Sequence, residues 1–225
     1  MKKILIALCG ILVINCAHAD MSALKVFVGG DFSLTGVQWD SDAKDYMKNQ
    51  GVELPIIHNG LGAVLGLRNA TRNVYNIGAS LSYDYLLSSK SKIDSDVINH
   101  DLDNDVYYKY TKFSMGFSAF SATLDLYVRL FKLDYTYNKR GDLVLGFGPA
   151  RIMERGEADS DILGIGVNSV KSDDYDSGFV VKLGYNGQID QNWDWFLHGR
   201  WFALTGGDND IHSLFNIGIG VRYNF

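Results

Sequence analysis

The sequence predicts an all-β fold: an eight-stranded antiparallel up-and-down transmembrane β-barrel with short periplasmic turns and long extracellular loops. Three observations predict it. Apolar residues alternate with small or polar ones in eight separate segments. The connections between those segments sort into long and short by turn. After residue 19 no apolar run is long enough for a helical span, so a place in a membrane has to be taken by strands.

The chain opens with Lys2 and Lys3, an apolar run ILIALCGILVI, and Ala17-His18-Ala19, which fits a small-x-small cleavage site. This pattern predicts a secretory signal peptide over 1–19, followed by an outer-membrane barrel domain over 20–225. Cys9 and Cys16 fall inside the signal, so the expected mature chain lacks both disulfides and thiolate metal sites. Acidic residues outnumber basic ones by 26 to 21. Such a balance argues against nucleic acid as a partner.

The first segment alternates Leu24, Val26, Val28 and Phe32 with Lys25, Gly29 and Asp31, and the second alternates Leu61, Ala63, Leu65 and Leu67 with Gly62, Gly66 and Arg68. The third runs from Tyr75 to Tyr85 with Asn76, Gly78, Ser80, Ser82 and Asp84 between its apolar positions. In the fourth, Leu124, Leu126, Val128 and Leu130 alternate with Asp125, Tyr127 and Arg129. The fifth carries Leu143, Leu145 and Phe147, the sixth Phe179, Val181, Leu183 and Tyr185, and the seventh Trp193, Trp195, Leu197 and Trp201. The eighth is the closing stretch SLFNIGIGVRYNF, apolar at every odd position from Phe215 to Phe225. Successive strand side chains point to opposite faces, so each segment has one apolar face.

The fourth segment is irregular. Its apolar phase is odd at Phe113, Met115 and Phe117, even from Ala122 to Leu130, and odd again at Leu133 and Tyr135. A β-bulge supplies the one-residue phase change this requires. The region 107–137 also admits a ten-strand count; eight is the reading adopted.

The second face selects a membrane barrel over a soluble one. It is mostly Gly, Ser and Asn with isolated charges, suited to a narrow lumen rather than to bulk water. Lys25, Asp31, Arg68, Asp84, Asp125, Arg129, Lys182, Asp194, His198, Arg200 and Arg222 are expected to share that lumen and to pair. Trp193, Trp195, Trp201, Tyr75, Tyr85, Tyr223 and Phe225 are expected to form interfacial girdles. Trp39 is expected to pack a loop.

The expected outer loops are 36–59, 88–111, 153–177 and 205–212, which hold 18 acidic and 7 basic residues. Asp142 is assigned to a periplasmic turn, 137–142. The clusters DLDND (101–105) and KSDDYDS (171–177) raise divalent-ion binding and bridging to lipopolysaccharide phosphates, against the plainer reading of solvated loops. An EF-hand is excluded, because Val106 and Lys112 stand where it needs a glycine and an acid.

The closing strand, with Val221, Tyr223 and terminal Phe225, and the glycine-alternating LVLGFGPA (143–150) resemble the small outer-membrane barrels of the opacity, OmpX/Ail and OmpA membrane-domain type. The resemblance implies a fold, an outer-membrane location and recognition of the closing strand by the barrel-assembly machinery. Its members' roles span adhesion, serum resistance and envelope integrity.

No catalytic, cofactor or metal residue is assigned, and the chain is read as a non-enzyme. His198 lies on the lumenal register, and His212 and Ser213 are neighbours that point to opposite faces of a strand. His58 and His100 stand alone in loops. The functional expectation is a structural or surface-binding, adhesin-like role carried by acidic outer loops. Its partners are the lipid bilayer, lipopolysaccharide and surface ligands of a host or environment. A lipid-modifying enzyme and a narrow ion-conducting barrel are the alternatives.

Overall fold

The computed structural model describes residues 24–69, 74–101, 106–132, 140–162, 166–205 and 210–225. Eleven strands and one helix occur among them: β1 (Leu24–Trp39), α1 (Ser41–Asn49), β2 (Val52–Glu53), β3 (Ile57–Asn69), β4 (Tyr75–Lys90), β5 (Lys92–Ile93), β6 (Asn99–Asp101), β7 (Val106–Lys132), β8 (Arg140–Ile162), β9 (Gly166–Gln188), β10 (Trp193–Leu204) and β11 (Ile211–Asn224). Eight of them, β1, β3, β4 and β7 to β11, close into an antiparallel barrel. β1 pairs with both β3 and β11, and β4 pairs with β7. Closure removes every edge within the membrane, as a hydrocarbon solvent requires.

The barrel is inverted relative to a soluble protein. Phe32, Leu61, Leu65, Leu124, Leu183, Phe215, Ile217 and Ile219 are exposed on its outside, while Asp84, Asp125, Asp194, Arg200 and Arg222 are buried inside. That exterior is the surface the chain turns to a lipid bilayer. Trp193, Trp195, Trp201, Tyr75, Tyr85 and Phe225 all lie exposed on the outer face, the register expected of them. Trp193 packs edge-on against Tyr223, which in turn meets Phe225.

The lumen is narrow enough that several strands need a bare backbone. A side chain at Gly148 would collide with the Ala122 carbonyl, and one at Gly178 with the Ala203 carbonyl. At these positions the neighbouring backbone approaches too closely for any side chain.

Three expectations about boundaries are corrected. Residues 153–162 and 166–177 are not loop: β8 and β9 stay paired in continuous register from Gly141↔Gly187 to Ile162↔Gly166. The first outer connection is shorter than 36–59, because β1 continues to Trp39 and β3 starts at Ile57; α1 and β2 lie between them. No bulge breaks the centre of the fourth barrel strand, β7. Its register slips between Tyr110 and Lys112, and between Arg129 and Phe131, where the phase change after Leu130 predicts a bulge. Phe117 and Ala119 share one inward face with Ser121, Thr123, Asp125 and Tyr127. The apolar phase changes because the lumen itself turns apolar above Ser121. The described part of the region, 107–132, belongs to one strand, so the count is eight; Leu133 and Tyr135 lie outside the described residues.

Candidate functional site

Three layers stack along the barrel axis. In the lower and middle lumen, charges pair. Arg200 donates to both oxygens of Asp84 at 2.6 and 2.7 Å, to His198 Nε2 at 2.8 Å, and lies 3.9 Å from Asp31. Lys182 Nζ donates to Asp125 at 2.7 Å and to Ser80 and Thr123. Arg68 and Arg222 converge on Asp194 at 3.0 and 2.9 Å. The Arg222 guanidinium also sits 4.6 Å over the Phe27 ring. A cavity of about 40 Å³ remains between Asp31, Lys182, His198 and Arg222.

The sequence reading placed these charges in the lumen, and the structure brings them together there. It misplaced Asp142. That residue is buried inside, 3.6 Å from Arg68 and 3.8 Å from Arg129, not in a solvated turn. Tyr127 lies inside with Asp125, as the alternation of its segment predicts, whereas nothing in the sequence singled out the lumenal Phe27, Val144 and Phe196.

Above the charges lies an apolar lid. Val37, Leu86, Phe117, Ala119, Ala150, Ile152, Val180, Phe202, Ile211 and Leu214 form one buried cluster. β3 supplies the missing sector through His58, which is fully buried and meets the Phe117 ring edge-on at 4.9 Å. Each of the eight strands thus contributes to the lid. Trp39 packs against it 6.0 Å from Phe117 and donates to the Pro55 carbonyl at 2.8 Å, so it packs the loop as expected.

The third layer is the outer mouth. β7, β8 and β9 continue past the lipid-facing residues as a three-stranded ledge. From Arg151 to Ile162 the reach of β8 is roughly 35 Å at about 3.3 Å per residue. On its inner face Glu154 is 8% exposed, and its Oε1 has no hydrogen-bond partner among the described residues. Burial, together with a hydrogen bond to Asp176 and the charges of Asp176, Asp210 and Asp174, pushes the Glu154 carboxyl up to about 8. Glu154 followed the inward register of Gly146, Gly148, Ala150 and Ile152, a signal the sequence contained.

A raised folded pKa gives this group a definite pH dependence. Its stabilising contribution is complete below its ordinary pKa of 4.5 and drains away as pH climbs to about 8, beyond which nothing further is lost. Urea midpoints measured from pH 5 to 9 are expected to fall across this window for the native chain. Glu154→Gln is expected to flatten that part of the curve; an unchanged slope would refute the assignment.

The candidate hydrolytic pairs do not assemble. His212 is exposed while Ser213 is buried, its Oγ donating to Gln38 at 3.0 Å. His198 is held by Arg200 and Asn216 and stacks on Phe196. Among the described residues, no group of three or more His, Cys, Asp or Glu is arranged to hold a metal ion. Of the two acidic clusters, 171–177 lies within β9, whereas residues 102–105 of the other are outside the described residues.

No family model matches the chain, and no curated protein matches it in sequence. Its fold does have solved counterparts. Ail, the attachment invasion locus protein of Yersinia pestis, aligns over 89% of this chain and 98% of its own, at 12% identity and a TM-score of 0.50. The same protein in complex with the heparin analogue sucrose octasulfate aligns over 90% and 99%, at 12% identity and a TM-score of 0.51. Neisserial surface protein A aligns over 90% and 97%, at 11% identity and a TM-score of 0.42. By the two Ail alignments the chain is structurally similar to small outer-membrane β-barrel proteins along most of its length.

Proposed function

We propose that residues 1–19 direct export, that residues 20–225 form an outer-membrane barrel, and that this barrel serves a structural and surface-binding, adhesin-like role. The observation that carries the reading is the ledge. A membrane anchor needs strands of about 9–11 residues, yet β7, β8 and β9 run for 27, 23 and 23. Ordering so many residues beyond the lipid costs conformational entropy that anchoring alone would not require. Rigid display of a surface accounts for it.

The β8 and β9 strands of the ledge are acidic, with Glu154, Glu157, Asp159, Asp161, Asp173, Asp174 and Asp176 against Arg155, Lys171 and Arg151 at their base, while β7 adds Lys109 and Lys112, the latter 3.0 Å from Glu157. Two of its cations support lipopolysaccharide as a neighbour. Arg151 and Arg155 lie on the outward register just above the apolar band of β8, over the Tyr175 and Tyr85 rings at 4.7 and 4.3 Å. At that height they meet the phosphates of an outer leaflet. The strand ending at Phe225, paired on both sides, supports recognition by the barrel-assembly machinery. The apolar lid speaks against conduction, since it dries the lumen between charge network and mouth.

The test compares the intact protein with a variant in which residues 154–174 are replaced by a short turn, at matched surface levels. Attachment of cells to surfaces is expected to fall while the barrel still assembles. Equal attachment by both forms would refute the reading.

A further inference from the structure

β9 leaves the barrel with one side uncovered. Its pairing with β10 ends at Gly178↔Leu204, and Thr205 N–H then donates to the Ser177 carbonyl at 3.0 Å. Beyond that point no described strand lies against it, although β8 pairs with it as far as Gly166. Backbone groups along a strand alternate sides. Because Ser177 points toward β10, the N–H and C=O groups of Tyr175, Asp173, Lys171 and Ser169 point to the open side as well. They form a ready ladder for another extended chain.

Lys171, on the outward register of β9, lies 3.8 Å from Glu157, but the charge on the mouth-facing register beside this edge is acidic. Asp174 and Asp176 belong to β9, Asp210 precedes β11, and Glu154 sits behind them, nine-tenths buried with Oε1 unpartnered among the described residues. Every charged group that acts appreciably on Glu154 is acidic. Its other neighbours in register are Phe117 on β7 and, on its own strand, Ile152. Among the described residues no cation pairs with it, Arg155 being turned to the Phe117 carbonyl, and an unpaired buried carboxylate is expensive, so in the free protein it holds a proton. A second copy of this chain is a poor occupant of the edge, because antiparallel pairing would bring the two acidic strands together.

We propose that β9 accepts an extended, basic segment of another protein as an added strand, and that a lysine or arginine of that segment enters the mouth to pair with Glu154 and Asp176. The inference rests on the surface-binding reading above and names the chemistry of the partner. The arriving ammonium or guanidinium replaces the proton on Glu154, which leaves to buffer. Backbone pairing along the edge sets affinity for any extended chain, and the mouth selects a cation.

The test uses the full barrel in nanodiscs of phosphatidylcholine and a short labelled peptide alternating threonine and lysine. Saturable binding is expected. Glutamate in place of lysine should abolish it, and a proline at the centre of the peptide should weaken it by about tenfold or more. Glu154→Gln should weaken binding by about tenfold and abolish the proton release seen by calorimetry in buffers of different ionisation enthalpy. Ser169→Pro, which removes an edge N–H without touching the mouth, should weaken binding and leave proton release per bound peptide unchanged.

Equal binding of the glutamate peptide, or unchanged affinity and proton release in Glu154→Gln, would overturn the cation site. Equal binding of the proline peptide, or of free spermidine, would overturn strand addition. Loss of attachment on trimming residues 154–174, together with no peptide binding, would sink this inference while leaving the surface-binding role intact. Unchanged attachment would sink the role itself.

Discussion

Replacing Arg200 with leucine is expected to destabilise the barrel by about 3–5 kcal/mol, the usual cost of stranding a buried charge. Arg200 is the only described cation that an observed contact brings to Asp84, whose two oxygens it holds, and it also faces Asp31. Asp84 is 1% exposed, so water cannot take over. Urea unfolding in micelles measures the change. The double variant Arg200→Leu, Asp84→Leu is expected to regain most of the loss, since apolar pairs of similar volume often replace buried ion pairs at little cost. A single variant as stable as the native chain would show that the network contributes nothing.

Phe117→Ala should cost a comparable amount, about 3–5 kcal/mol, by the cavity it leaves in the lid. Phe117 is fully buried and touches both His58 and Trp39, so its ring joins β3 and the end of β1 to β7. Neighbouring strands cannot close the gap, because each is fixed by ladder pairing on both sides. The same urea titration reads the loss. Planar-bilayer recording adds a second readout: the native lid predicts no channel steps, and the opened lid predicts brief ones. A stability unchanged by the substitution would mean that the lid does not pack as a unit.

How far the sequence could be read depended on which solvent each face meets. Along β11, lipid meets Phe215, Ile217, Ile219 and Val221 while the lumen meets Asn216, Gly218, Gly220 and Arg222. Two contrasting environments give a clean period of two, and closure, strand number and lumenal charges follow from it. β7 lost that contrast above Ser121, where lipid outside and the lid inside are both apolar. A change of face and a change of lumen then look alike in sequence. The outer halves of β8 and β9 lost it in the opposite way. Every residue from Gly166 to Tyr175 is exposed, so backbone pairing is the main hold on the strand and the side chains carry no alternation of burial. Asp142 was misread because it follows Gly141, a pair that ordinarily marks a turn. Only three-dimensional convergence of Arg68 and Arg129 makes it a buried partner.

The most direct test of the account is a cysteine map of the two ends, which is clean because residues 20–225 contain no cysteine. Ser169→Cys on the ledge and Asn192→Cys in the β9–β10 turn would be treated in intact cells with a membrane-impermeant maleimide. Labelling of Ser169→Cys at once, and of Asn192→Cys only after the outer membrane is permeabilised, is the result predicted by a barrel that displays β7, β8 and β9 outside the cell. Labelling of Asn192→Cys in intact cells, with Ser169→Cys protected, would contradict it.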